Sequence, residues 1–262
     1  MGSYLGQNFL VDMKIKQFLG DKIAQMYHDL GCEALIEIGP GKGALTKLIW
    51  QITPNFLVIE KDELLVKDNH LNVAGLESVE VLLQDVLTVD VPKLLSEKGL
   101  NPSKTLIVGN LPYYITSPIF RVFFGYGEQH FAGGVFMIQK EVADKISEDA
   151  GKKSFLRWLL NYAHSVRYLK TVPAKAFKPA PKVTSAIVGL TGKASDRTEA
   201  EYADLLVFLD LYCPYSRKTL GAISTMLNKK GLNQFEIPEH LRPKRLEECG
   251  WTEILGVIGS KK

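Results

Sequence analysis

Ala34-Leu35-Ile36-Glu37-Ile38-Gly39-Pro40-Gly41-Lys42-Gly43 is an apolar run that stops in three alternating glycines. The run reads as a buried strand, and a helical stretch follows the glycines. Glycines at 39, 41 and 43 let the backbone come close to a ligand where a side chain would stand in the way. The spacing departs from G-x-G-x-x-G, and no Lys-Ser or Lys-Thr of a phosphate loop follows. Taken alone, the stretch also suits an ordinary strand-to-helix turn.

Outward from this unit, apolar runs with β-branched content recur at 34–38, 55–60, 79–83, 105–108 and 134–138, with helix-like stretches between most of them. That alternation predicts an α/β fold with a parallel sheet covered by helices. Ser117-Pro118 predicts a helix start, with the hydroxyl at the N-cap and proline at the first helical position. A second amphipathic helix is expected over 154–164. Beyond residue 166 the pattern changes, and 166–169 and 182–190 are expected to form an antiparallel hairpin closing the sheet. Residues 191–196 are small and polar, as in a linker. Only helical patterns follow, at 201–212, at 217–228 and in shorter pieces from Pro238 and Arg242. The expected division is therefore a large α/β domain over 1–193 and a small helical domain over 194–262.

The strand after the glycine turn ends in Glu60, 21 residues beyond Gly39. That is where a carboxylate binds ribose hydroxyls in dinucleotide-like sites. The following strand ends in Gln84-Asp85, whose carboxylate could accept a hydrogen bond from an adenine amino group. Any one of these acids is more often a solvated loop residue. Gly39, Glu60 and Asp85 at successive strand ends together favour a nucleoside site, because ligands of open α/β sheets bind at those edges.

The fourth strand runs into Asn110-Leu111-Pro112-Tyr113-Tyr114. Adenine N6 is a poor nucleophile because its lone pair is delocalised into the ring. The Asn110 side-chain oxygen and the Leu111 carbonyl can accept the two hydrogens of such a nitrogen and direct its lone pair. Pro112 fixes the backbone that aims the Leu111 carbonyl. Tyr113 would stack on the base, worth about 1–3 kcal/mol. The competing view makes this a strand-ending turn with tyrosines packed beside it. No Ser-His-Asp or Cys-His set is evident.

Composition restricts the remaining classes. Among 262 residues, 46% hydrophobic content is enough to fill a core. Cys32, Cys213 and Cys249 are odd in number and far apart, which argues against disulfides or zinc and for a reducing cytoplasm. The five histidines (28, 70, 130, 164 and 240) lack ligand spacing, so no metal is expected. No run approaches a membrane span, and the start lacks the order of a signal peptide. Met1-Gly2 opens like a myristoylation site, but Gly6 stands where Ser or Thr is wanted. Nothing demands a dimer, and a monomer is expected. The net charge of +3 hides an asymmetry, with 11 basic and 15 acidic residues over 1–139, 11 and 4 over 140–193, and 10 of each after that. A polyanion would meet mainly the middle segment, although the same lysines could simply solvate a surface.

These motifs together resemble the small-subunit ribosomal RNA adenine N6,N6-dimethyltransferases over nearly the whole chain. Gly6-Gln7-Asn8-Phe9-Leu10-Val11-Asp12 resembles the family's amino-terminal motif, and by that resemblance Asn8 and Leu10 join Gly39, Gly41, Glu60, Asp85 and Asn110 as cofactor contacts. Asn110-Leu111-Pro112-Tyr113 is similar to its catalytic motif, and Met137-Ile138-Gln139-Lys140-Glu141-Val142-Ala143 to its next strand and helix. Phe177-Lys178-Pro179-Ala180-Pro181 resembles a further motif, which implies Phe177 over the target base opposite Tyr113. Without the resemblance Phe177 would read as a loop or core aromatic. Basic stretches at 215–220 and 241–246 are also similar to the family's, while Lys145-Ile146 stands where members often carry arginine. The resemblance implies a Rossmann-like class I methyltransferase domain with a small C-terminal helical domain that docks RNA. It further implies S-adenosylmethionine as cofactor and ribosomal RNA in a small-subunit or pre-small-subunit particle as partner. Expected is dimethylation of adenine N6, at two adjacent adenines near the 3′ end. The large-subunit, macrolide-resistance enzymes share this chemistry, and a non-catalytic assembly or transcription factor could share the fold.

Overall fold

A computed structural model describes residues 8–67, 79–124, 131–147, 154–193 and 198–261. Met1, Gly2, Gly6 and Gln7, His70 and His130, and the linker residues Ala194, Ser195 and Asp196 lie outside the described residues. The five expected strands of the first half are β2 (Ala34–Ile38), β3 (Phe56–Glu60), β4 (Glu80–Leu83), β5 (Thr105–Asn110) and β6 (Gly133–Gln139). With β7 (His164–Val172) and β9 (Ser185–Gly192) they form a seven-stranded sheet in the order β4-β3-β2-β5-β6-β9-β7. All pairs from β4 to β6 are parallel. The expected hairpin is the β7–β9 pair, and its second strand inserts antiparallel beside β6. Strand order reverses between β2 and β5, so the carboxyl ends of β2 to β5 frame a crevice where ligands bind in such sheets.

Nearly every residue of β2, β3, β5 and β6 is buried. Alternation sorts them onto two faces. Ile36, Ile38, Ile107, Phe136 and Ile138 enter one core cluster with α4 (Val91–Glu97) and α5 (Thr116–Phe123). Leu35, Leu106, Val108, Val135 and Met137 enter the other with α1 (Met13–Asp29) and the short α2 (Thr46–Ile49). Asp12 caps α1, its Oδ1 accepting from the N–H groups of Lys14 and Ile15 at 2.9 and 3.1 Å. The short α3 (Glu63–Lys67) follows β3, and α6 (Lys140–Ile146) follows β6. The helix expected at 154–164 is α7 (Phe155–Ala163), capped by Ser154.

Four expected helix starts are displaced, the one expected at Glu201 by two residues, to Glu199 behind its Thr198 cap. α5 begins at Thr116 rather than after Ser117, because the preceding turn already closes with Ile115 N–H donating to the Pro112 carbonyl. Pro118 then sits within the first turn, where N–H groups have no intrahelical acceptor. The start expected at Arg217 falls at α9 (Leu220–Lys229), with Thr219 as N-cap. The piece expected from Arg242 is not helical there. The carbonyls of Arg242 and Lys244 accept from Gly221 and Leu220, so this backbone is committed to α9; a 3-10 turn follows at Leu246–Glu248, and α-helix resumes at α10 (Trp251–Ile258). Near Pro238 a single 3-10 turn forms, Glu239–Leu241. The third cluster joins α8 (Glu199–Tyr212), α9 and α10 to Trp158, Tyr162 and Ala163 of α7. One helix thus serves two cores.

Candidate active site

The crevice holds a cavity of about 310 Å³. Asn8, Leu10, Gly39, Gly41, Glu60, Asp85, Asn110, Leu111, Pro112, Tyr113 and Phe177 all line it. Residues far apart in the chain, from Asn8 to Phe177, therefore meet in one place.

The floor is the turn after β2. Gly39 and Gly41 have φ of +64° and +57°, a backbone that L side chains rarely adopt. A Cβ on Gly41 would also lie 3.3 Å from the Phe9 ring, which covers the turn. Glu60, at the end of β3, is 5% exposed. Its carboxylate accepts from the N–H groups of Gly41 at 3.2 Å, Lys61 at 2.8 Å and Asp62 at 2.9 Å, which binds the glycine turn to the next strand. Asp85 follows β4 and caps a short 3-10 turn by accepting from Leu87 N–H at 3.0 Å. Its other oxygen forms an ion pair with Lys61 Nζ at 2.7 Å. The Lys61 ammonium and the Leu87 N–H hold the Asp85 carboxyl below its ordinary range.

Asn110 is the last residue of β5, and its Nδ2 donates to the Asn8 carbonyl at 3.3 Å. The amide oxygen is thereby left as the acceptor end of the side chain. Leu111 N–H donates to the Met137 carbonyl at 3.0 Å, which fixes the peptide joining Asn110 to Leu111. Tyr113 is half-buried, and its hydroxyl lies 2.7 Å from Ser185 Oγ on β9. Tyr114 is 66% exposed at the rim.

The amino-terminal segment closes the cavity from the far side. β1 (Phe9–Leu10) pairs antiparallel with β8 (Phe177–Lys178), placing Leu10 opposite Phe177. The N–H groups of Val11 and Asp12 both donate to the Ala176 carbonyl, at 2.8 and 3.2 Å. Lys42 Nζ lies 4.7 Å from the Phe9 ring centroid, a cation–π contact. Phe177 is 5% exposed and packs with Val172 and Ala176 while lining the cavity.

Sequence reasoning missed three charged residues here, Glu37, Lys42 and Lys61. Glu37 lines the cavity while 2% exposed, and accepts from Thr46 Oγ1 at 2.7 Å. Burial raises its pKa from 4.5 to about 8, the Thr46 hydrogen bond pulls it down and Glu60 adds to the rise. A single acid inside an otherwise apolar strand was the available signal. Lys61 had none, since a lysine after a strand is ordinary surface chemistry. Among the described residues no cluster of three or more His, Cys, Asp or Glu side chains could hold a metal. None of the helices described is long and apolar enough to cross a membrane.

Known proteins resemble this chain in sequence and in fold. Ribosomal RNA small subunit methyltransferase A of Clostridioides difficile is 32% identical over 259 residues, covering 97% of this chain and 86% of that protein. The Koribacter versatilis protein of the same name is 36% identical over 237 residues, 82% of this chain and 78% of its own length. Among solved structures, a dimethyladenosine transferase from Plasmodium falciparum superposes with a TM-score of 0.69 at 22% identity, covering 94% of each chain. The 23S rRNA methyltransferase ErmE gives 0.64 at 22% identity, covering 95% of this chain and 98% of its own. At such identity the two structures establish the common Rossmann-like fold. The sequence relationship is closer and extends through both the glycine turn and the Asn110 motif: a model of the ribosomal RNA adenine dimethylase family matches residues 2–251, and the chain belongs to that family.

Proposed function

We propose that this chain dimethylates N6 of two adjacent adenines near the 3′ end of small-subunit ribosomal RNA, presented in a small-subunit or pre-small-subunit particle. As a member of its family it is an S-adenosylmethionine-dependent rRNA adenine N6-dimethyltransferase. The relatives named for the small subunit favour that target over the large-subunit, resistance-type one. The observation that carries the detailed reading is the convergence of Asn110 and Leu111 with the Gly39–Gly41 turn on one cavity.

The cavity suits the cofactor. Its volume falls in the range of small-molecule sites, its floor is a turn in which side chains are excluded, and Ile59 and Val86 supply an apolar wall. Gly39 and Gly41 would hold the amino-acid end by backbone approach, Glu60 the ribose hydroxyls and Asp85 the adenine amino group, with Asn8 and Leu10 closing over it. When bound, S-adenosylmethionine supplies an activated methyl on a sulfonium, itself a good leaving group. The protein's task is then position. The Asn110 amide oxygen and the Leu111 carbonyl accept the two N6 hydrogens, and Tyr113 and Phe177 sandwich the unstacked base. Tying Asn110 to Asn8 and Leu111 to Met137 holds both acceptors in place before substrate arrives. Residues 194–262 would then act as a small helical domain that docks the RNA.

Incubation with tritiated S-adenosylmethionine and ribosomal subunits lacking dimethyladenine, followed by mapping of the label, tests this. Label as N6,N6-dimethyladenine near the 3′ end of small-subunit RNA is expected. Label only in large-subunit RNA would overturn the target, and binding without any label would mark a non-catalytic factor.

A further inference from the structure

Lys61 bridges the cavity mouth between the ends of β3 and β4. Its ammonium reaches the very carboxylate that would recognise the cofactor's adenine. Asp85 is half-buried and already commits Oδ1 to Leu87 N–H, so Oδ2 is the oxygen left to turn toward a ligand. That oxygen is the one Lys61 holds at 2.7 Å. A carboxylate oxygen has a second lone pair, so the lysine and an adenine amino group can share it. A carboxylate without the lysine would be held by one hydrogen bond and could rotate. With the lysine both oxygens are anchored and the acceptor is set before the ligand arrives, which reduces the ordering cost of binding.

We propose that Lys61 is a positioning residue for cofactor selectivity: it fixes Asp85 Oδ2 as the acceptor that distinguishes an adenine amino group from a ring bearing a carbonyl oxygen there. This rests on Asp85 being the adenine contact. The lysine side chain is 62% exposed and the aspartate side chain 31%, so the pair is screened by water and its effect is moderate. The rival role for Lys61 is competitive. A lysine that merely occupied Asp85 would have to leave before the adenine could bind, and its removal would tighten binding.

Calorimetry with S-adenosylhomocysteine and S-inosylhomocysteine separates these. The wild-type protein should prefer the adenosyl compound. Lys61→Met keeps the aliphatic stem and should reduce that preference by up to about fivefold, the scale of a partly exposed ion pair, while affinity for the inosyl compound stays unchanged. Lys61→Arg should retain the preference. Tighter adenosyl binding in Lys61→Met, or an unchanged preference while Asp85→Asn loses it, would overturn the positioning role. An unchanged preference in Asp85→Asn would remove Asp85 from adenine recognition and Lys61 with it, while leaving rRNA methylation to be judged by the labelling experiment.

Discussion

At the residue scale, every side chain singled out from the sequence as a site residue lines one cavity, for a reason visible in the chain. From Gly39 to Tyr113 they stand at or just beyond the carboxyl ends of parallel strands, which the sheet brings together regardless of sequence distance, while Asn8, Leu10 and Phe177 arrive on the separate antiparallel β1–β8 pair. What remained illegible were partners: that Glu60 commits its carboxylate to three backbone N–H groups, or that Asp85 meets Lys61, depends on rotamers that no motif encodes. Two predictions belong here. Asn110→Ala removes the amide oxygen proposed as one acceptor for the N6 hydrogens, and should lower methyl transfer at least about a hundredfold, as loss of a preorganised polar group does, while RNA retention in a gel shift persists. Near-normal turnover would exclude the acceptor role. Glu37 gives the second. Its carboxyl titrates near 4.5 when unfolded and at about 8 in the fold, so the folded state holds the extra proton between those values. The stability Glu37 contributes is therefore complete below about pH 4.5 and is lost progressively as pH rises to about 8. Melting curves of Glu37→Gln, whose side chain stays neutral, should gain on the wild type across that window. Parallel profiles would mean that Glu37 ionises normally.

At the element scale, strand positions are legible in the periodicity and helix starts less so. β2 is bounded as expected and β3 to β6 within one or two residues, since an apolar run ending in glycine or a polar residue leaves little freedom. α5 and α9 begin elsewhere because their first turns are set by carbonyl acceptors outside the helix, those of Pro112, Arg242 and Lys244. Acceptors of that kind leave no local pattern. The central sheet also contains an approach that only the three-dimensional pairing exposes. A Cβ on Gly109 of β5 would stand 2.6 Å from the Ile38 carbonyl oxygen of β2, on the strand immediately ahead of Asn110. Backbone cannot yield there as a side chain can, so Gly109→Ala should cost about 1–3 kcal/mol in denaturant unfolding. Cofactor binding should weaken with it, since the two strands carrying the glycine turn and Asn110 would be forced apart. An unperturbed unfolding midpoint would show that the pair has slack.

At the scale of the whole molecule, charge has to be weighed by its compensation. The excess of basic residues over 140–193 singles out the middle segment as the RNA face, yet two lysines there are neutralised locally, Lys140 by Asp144 and Lys145 by Glu141. The balanced final segment looks different in space. An open groove beside α9 is lined by Lys229, Lys230 and Arg242 with Glu239 as its one acid, and none of the three cations has an ion pair among the described residues. The Thr219 hydroxyl accepts from Ala222 N–H and keeps its own proton as a neutral donor of the kind that binds phosphate, whereas the Thr225 hydroxyl donates to the Gly221 carbonyl at 2.9 Å. If residues 194–262 dock RNA, this groove is where the backbone would lie. The triple variant Lys229→Glu, Lys230→Glu, Arg242→Glu should then bind small subunits more weakly and show a shallower dependence of log affinity on log salt, by up to about 0.9 for each phosphate no longer neutralised. Cofactor affinity should be untouched, because the groove shares no lining residue with the catalytic cavity. A salt slope equal to the wild type's would return RNA docking to the basic residues of the methyltransferase domain, with the helical bundle left to support α7 through their common core.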